Sequence, residues 1–191
     1  MTRKTVSTVL LSAAVVLAAC SRNPEPAPTP EPPPQPTQPT QPDTAGEGAR
    51  RAAEAAERER AARAAEAAEV RATLSEMVFF DYDQSAIRPD QQDVLNRKVP
   101  LLRANPAVRL RIEGHADERG SVEYNLALSV RRANAIRDYL SGFGIDASRF
   151  DIVAMGEERP LEAGSTEEAY ARNRRGEFHI IAGGDNLVKP R

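Results

Sequence analysis

The sequence predicts an α/β domain of the α+β sandwich type, a βαβαβαβ run folding as a mixed sheet with helices on one face. Three observations predict it. Apolar residues recur at period two in some segments and near 3.6 in others, and the two kinds alternate along the chain. Every aromatic residue falls between Phe79 and Phe178, which confines the core to that stretch. Helices interleaved with strands can bury the apolar face of one sheet.

Met77–Asp83, "MVFFDYD", reads as the first strand because aromatic and β-branched residues favour a pleated, half-buried surface. The stretch "IRPDQQDVLNRKVPLLRANP" reads as a helix opened by Pro89, with Val94, Leu95, Leu101 and Leu102 inward. Pro100 lies inside that pattern and is expected to kink or break it, since proline lacks the N–H that closes the turn. Val108, Leu110 and Ile112 alternate with Arg109, Arg111 and Glu113, giving a strand with one buried and one solvated face. From Ser121 to Gly144, Leu126, Val130, Ala133 and Ile136 recur at helical spacing, and Gly142 and Gly144 close the segment. "DIVAMG" reads as a third strand. "TEEAYARNRR" reads as a short helix with Thr166 as N-cap, and "EFHIIA" as the last strand.

Upstream of this domain the composition changes twice. Residues 1–19 read as a leader: Arg3 and Lys4, then an apolar run too short to span a bilayer, then small residues. The single cysteine, Cys20, follows "LAA" directly. That arrangement resembles the bacterial lipobox, which implies cleavage before Cys20 and acylation of its thiol. An ordinary leader with an incidental cysteine is the alternative. Several acyl chains hold durably, at ~0.8 kcal/mol per buried CH2. Ser21, where an Asp would favour inner-membrane retention, implies export to the outer membrane. Residues 20–48 alternate proline with small polar residues and are expected to form an extended tether. Residues 49–74 are rich in Ala, Glu and Arg, with favourable pairs Glu54/Arg58 and Glu59/Arg63. With no Leu, Ile or Val before Val70, this segment is expected to be a solvated spacer helix. The globular domain is drawn at 75–185 and a tail at 186–191.

The formal charge of −2 offers no basic surface for nucleic acid. A catalytic reading finds little support. The chain has two histidines, His115 and His179, and its lone cysteine, Cys20, reads as acylated, so a zinc site is not expected from them. Glu113, Asp117 and Glu118 stand too near one another to face each other across a cleft, as a glycosidase requires. No G-x-S-x-G elbow occurs. His115 therefore reads as a hydrogen-bonded structural residue, and neither a metal nor another cofactor is expected.

The segments "VFFDYDQSAIRPD", "IEGHADERGSVEYNLALSVRRANAIRDYL", "GEERP" and "ARNRRGEF" resemble, in order and spacing, the OmpA-like peptidoglycan-binding domain family. The resemblance runs from about Met77 to Phe178. His179 and Pro100 depart from the family's usual pattern. The resemblance implies a non-enzymatic protein that binds the diaminopimelate stem peptide of peptidoglycan. Asp117 and Arg132 match the residues that hold it, Tyr82 and Asp83 line the same groove, Leu128 forms an apolar wall, and Asn125 orients the loop. An acid and an arginine fork suit the ammonium and carboxylate of such a zwitterion. Spacing alone leaves open a plain Asp117–Arg132 salt bridge that pins helix to loop. The resemblance also implies the Tol system's periplasmic β-propeller protein as a partner, with a role in envelope integrity and cell division. A wall-anchoring lipoprotein outside that system is the alternative.

Overall fold

The computed structural model describes residues 44–191, with side chains from residue 46. The leader, Cys20 and nearly all of the expected tether lie outside the described residues. The elements are α1 (Thr44–Ser75), β1 (Val78–Phe79), α2 (Pro89–Ala104), β2 (Arg109–His115), α3 (Val122–Gly142), β3 (Phe150–Gly156), α4 (Glu167–Asn173) and β4 (Arg175–Ala182). From β1 onward they run in the βαβαβαβ order the periodicity indicates. The sheet order is β1-β4-β2-β3. β2 and β3 are parallel and joined through α3, while β4 is antiparallel to both β1 and β2. The sheet is therefore mixed. Among the described residues no helix is long and apolar enough to cross a membrane.

The apolar half of the alternation is realised: Val108, Leu110 and Ile112 are fully buried and join one core with Phe178 of β4, Leu95 and Leu102 of α2, and Ile136 and Leu140 of α3, while on the other face Arg109 is exposed but Glu113 is buried. Each such side chain contributes roughly 1.5–3 kcal/mol by leaving water. Thr166 caps α4 by accepting a hydrogen bond from the Ala169 N–H, and Ser121 caps α3 by accepting from Tyr124.

Four local expectations are corrected. The first strand shrinks to Val78–Phe79, because the chain then turns away and Asp83 takes a left-handed φ of 56°. α2 runs unbroken through Pro100. Val99, Leu101 and Leu102 are buried around the proline, while Asn96, whose carbonyl loses its donor, is exposed to water. The apolar stripe on α3 holds at Ala133 and Ile136, which are buried, and is rotated in the first turns: Leu126 and Val130 are 45% and 38% exposed, and Asn125, Leu128, Ser129 and Arg132 face inward. Gly114 explains the rotation. A Cβ there would lie 2.0 Å from the Ser129 carbonyl oxygen, so α3 rests its backbone on β2 at Ser129. Finally, the spacer helix begins at Thr44 and ends inside the domain, since Val70 and Leu74 belong to the core. The tail is docked as well: Leu187 is buried, and Asn105 Nδ2 donates to the Val188 carbonyl at 2.8 Å.

The C-terminal carbonyls of α1 have no intrahelical partners. Lys98 of α2, fully buried, donates to the carbonyls of Thr73, Leu74 and Glu76 at 2.6, 3.0 and 2.7 Å. This single ammonium fastens α1 to α2. Lys98→Met keeps the stem's packing and strips the cap, so urea unfolding should show a loss of about 2–4 kcal/mol from the orphaned carbonyls. An unchanged midpoint would remove Lys98 from this role.

Candidate ligand-binding site

β2 ends at His115, and the loop Ala116–Ser121 carries the chain to the N-cap of α3. Asp117 is turned inward because its own carboxylate Oδ1 accepts the Arg119 backbone N–H at 3.1 Å. The turn after β1 brings Tyr82 and Asp83 to the same place. One face of α3 adds Asn125, Leu128 and Arg132. All six residues named from the sequence line one cavity of about 100 Å3, together with Arg119, Gly120 and Tyr124.

Asp117 and Arg132 do not pair with each other among the described residues, so the salt bridge that spacing left open is not formed. Arg132 is completely buried. Its Nε donates to the Gln84 carbonyl at 2.8 Å, Nη1 to His115 at 2.7 Å and Nη2 to Asp81 at 3.1 Å. A guanidinium carries five N–H groups. One hydrogen on each terminal nitrogen is left, the fork that fits a carboxylate. Burial draws the Arg132 pKa down to about 10, with the nearby Asp117 opposing, so the group is a cation at neutral pH.

Asp117 is equally buried and accepts from Arg119 Nη2 at 2.6 Å and Arg174 Nη1 at 3.2 Å. Burial by itself would raise its pKa. The hydrogen bonds from Arg119 and Arg174 outweigh that and hold the carboxyl below its ordinary value of 3.8. Arg119 lies between two rings, its guanidinium carbon 4.0 Å from the Tyr82 centroid and 4.3 Å from that of Tyr170. Tyr124 donates a short hydrogen bond to Asp83 Oδ1.

Two expected roles differ. Asn125 does not hold the loop through its amide: Nδ2 donates to Glu157, just past the end of β3. His115 is not hydrogen-bonded through its ring. Both ring nitrogens lack a hydrogen-bond partner among the described residues, and only its carbonyl is used, by Arg132. The residues that sequence reasoning passed over are Arg119, Tyr124 and Arg174. Of the two arginines in "NRRGEF", Arg174 is taken by Asp117, Glu167 and the Phe80 carbonyl, and Arg175 by Glu177. The available signal was the "DERG" spacing, which allows a carboxylate to fold back on an arginine two residues on.

The geometry can be set beside known proteins. A family model described as the OmpA family matches residues 79–174, a little over half of the chain. A peptidoglycan-associated lipoprotein from Haemophilus influenzae is 43% identical over 98 residues, covering 51% of this chain and 64% of that protein. One from Brucella melitensis is 42% identical over 102 residues, covering 53% of this chain and 61% of that protein. The chain thus matches under two thirds of these curated relatives' length. The crystal structure of the peptidoglycan-associated lipoprotein from Burkholderia pseudomallei superposes with a TM-score of 0.53 at 36% identity, over 55% of this chain and 88% of that one.

Asp117→Asn takes from the buried Arg174 one of its two carboxylate partners, Glu167 remaining at 2.9 Å. It should lower stability at neutral pH by about 1–3 kcal/mol. The pH dependence has a definite sign. A carboxyl whose folded pKa lies below 3.8 stabilises the fold above that pH, and the contribution is lost as pH falls through the folded value. Thermal unfolding from pH 7 to pH 2 should therefore fall less steeply in Asp117→Asn than in the native chain. Parallel curves would show that Asp117 carries no such linkage.

Proposed function

The chain belongs to the OmpA family, and from that premise we propose that it binds peptidoglycan non-covalently through the cavity between the β2–α3 loop and α3. One observation carries the reading: a buried carboxylate and a buried guanidinium border the same small cavity. A ligand with an ammonium and a carboxylate on one carbon answers both. The diaminopimelate of a wall stem peptide has that chemistry. Its carboxylate takes the two remaining Arg132 N–H groups. Its ammonium takes the Asp117 oxygens, displacing Arg119, whose side chain is the more exposed of the two cations on that carboxylate. Tyr82 and Leu128 wall the stem. This is recognition by charge and shape, and no step of chemistry is asked of it.

We propose further that Cys20 is acylated and holds the chain on the periplasmic face of the outer membrane, so that wall binding ties membrane to wall. The relatives named for this association support that reading. Meeting the Tol system's periplasmic β-propeller protein, and acting in envelope integrity and constriction at division, complete the proposal.

Arg132→Lys separates grip from fold. The three N–H groups of an ammonium are all taken by the three carbonyls, so the substitution can hold the backbone and leave nothing for a ligand. Co-sedimentation with diaminopimelate-containing sacculi should weaken by tenfold or more, roughly 1.4 kcal/mol per decade, while the circular dichroism melt stays cooperative. Sacculi with lysine in the third stem position should bind the native chain poorly, because they lack the second carboxylate. Undiminished binding by a folded Arg132→Lys chain would refute the grip.

Acylation is checked separately with a clickable fatty acid. Label should appear on the native chain and vanish from Cys20→Ser. Equal labelling of both would remove the anchor from Cys20.

A further inference from the structure

The face of the sheet turned away from the core carries a second, unrelated cluster. Alternation along β2 sets Glu113 and His115 opposite to the buried Leu110 and Ile112. Antiparallel register then places Glu113 directly across from Glu177 of β4, with His179, two residues along on the same face, across from Arg111. Two carboxylates facing each other across a strand pair repel unless a cation joins them. Glu113 Oε2 lies 3.6 Å and Glu177 Oε2 3.4 Å from His179 Nε2, and one ligand atom from each of the three residues fits within 4.8 Å of the others. Zinc bonds of 2.0–2.2 Å in a tetrahedron put neighbouring ligand atoms about 3.3–3.6 Å apart. The two distances match those edges.

A second observation points the same way. The His115 side chain is 2% exposed, and neither ring nitrogen has a hydrogen-bond partner among the described residues, while Nε2 lies 3.7 Å from Glu177 Oε1. A buried imidazole left unpaired costs free energy that native structures ordinarily avoid. A carboxylate drawn into coordination, and then held from behind by this imidazole, supplies the missing partner.

We propose that Glu113, Glu177 and His179, backed by His115, form a site for one divalent transition-metal ion, with Zn2+ the best fit, on the open face of the sheet. The donor set decides the ion. One imidazole and two carboxylate oxygens suit Zn2+ and its first-row neighbours. Ca2+ and Mg2+ demand six or more oxygens or an octahedron. Arg175 Nε donates to Glu177 Oε1 at 2.6 Å, on the oxygen the ion does not use, and Arg159 stands 4.0 Å from Glu113. These two cations offset part of the acidic charge and keep the affinity moderate. His179 is 48% exposed, so the fourth position opens to water. The bound ion clamps β2 to β4.

The test titrates ZnCl2 into the purified full chain at neutral pH by calorimetry. One ion per chain is expected, undisturbed by excess Ca2+ or Mg2+, and zinc should raise the melting temperature by mass action. His179→Ala removes a half-exposed ligand, so its metal-free melt should match the native one while zinc affinity falls at least about tenfold and the zinc-induced rise disappears. His115→Phe should weaken binding by about 10–100-fold, the effect of losing a group that orients a ligand. Co2+ should give the visible absorption of a tetrahedral site in the native chain and not in His179→Ala. No saturable zinc binding, or equal binding by His179→Ala, would overturn the site.

Discussion

A guanidinium buried without solvent is tolerable only if its charge is met, and Arg132 meets it with three backbone carbonyls from two places. Asp81 and Gln84 lie in the turn after β1, and His115 is the last residue of β2. The Asp81 carbonyl also accepts the Gln84 N–H at 3.2 Å, and the guanidinium adds a charged donor to each of the three acceptors. The cation and the carbonyls therefore solve one another's desolvation. The consequence is geometric. α3, β2 and the β1–α2 turn cannot shift relative to one another without opening a buried charge. The cavity they enclose inherits that rigidity.

The same device recurs at other element ends. Lys98 closes the carbonyls at the end of α1, and Arg149 donates to the carbonyls of Leu102, Asn105 and Val108 between α2 and β2. Arg174 reaches the Phe80 carbonyl and then Asp117. A domain that is acidic overall thus places long cations where chain ends converge, and leaves many carboxylates at the surface. Gly114 complements this arrangement: the absence of a side chain lets α3 approach β2 closely enough for Arg132 to reach all three of its acceptors.

The two faces of the sheet carry different electrostatics. On the helical side, Asp117 is held ionised by arginines in a buried setting, which prepares a carboxylate for exchange between cations at little reorganisation cost. On the open side, two carboxylates and two histidines sit across β2 and β4 with partial compensation from Arg175 and Arg159. The rigid floor under the first and the strand register under the second come from the same few residues of β2.

Much of this was legible in the residues. Strict alternation at Val108, Leu110 and Ile112 determines which face of β2 is dry, because a strand's side chains have period two whatever surrounds them. Thr166 and Ser121 announce helix starts, since a hydroxyl at the N-cap satisfies a free N–H locally. The family resemblance carried by "VFFDYD" and "GHADERG…YNLALSVRR" named six lining residues, and all six border one cavity. What stayed hidden depends on contacts between segments far apart in the chain. The inward face of α3 is partly polar, and Ser129 and Arg132 are buried because Gly114, Asp81 and Gln84 wait for them, so hydrophobic period placed Ala133 and Ile136 correctly and misplaced Leu126 and Val130. Val70 and Leu74 looked like the end of a spacer until a core formed against them. Glu113 and Glu177 lie 64 positions apart in the numbering, and only antiparallel register makes them neighbours. Local chemistry and period are written in the sequence. Which cation meets which carbonyl, and which acid faces which imidazole, was decided by the topology that brings distant segments together.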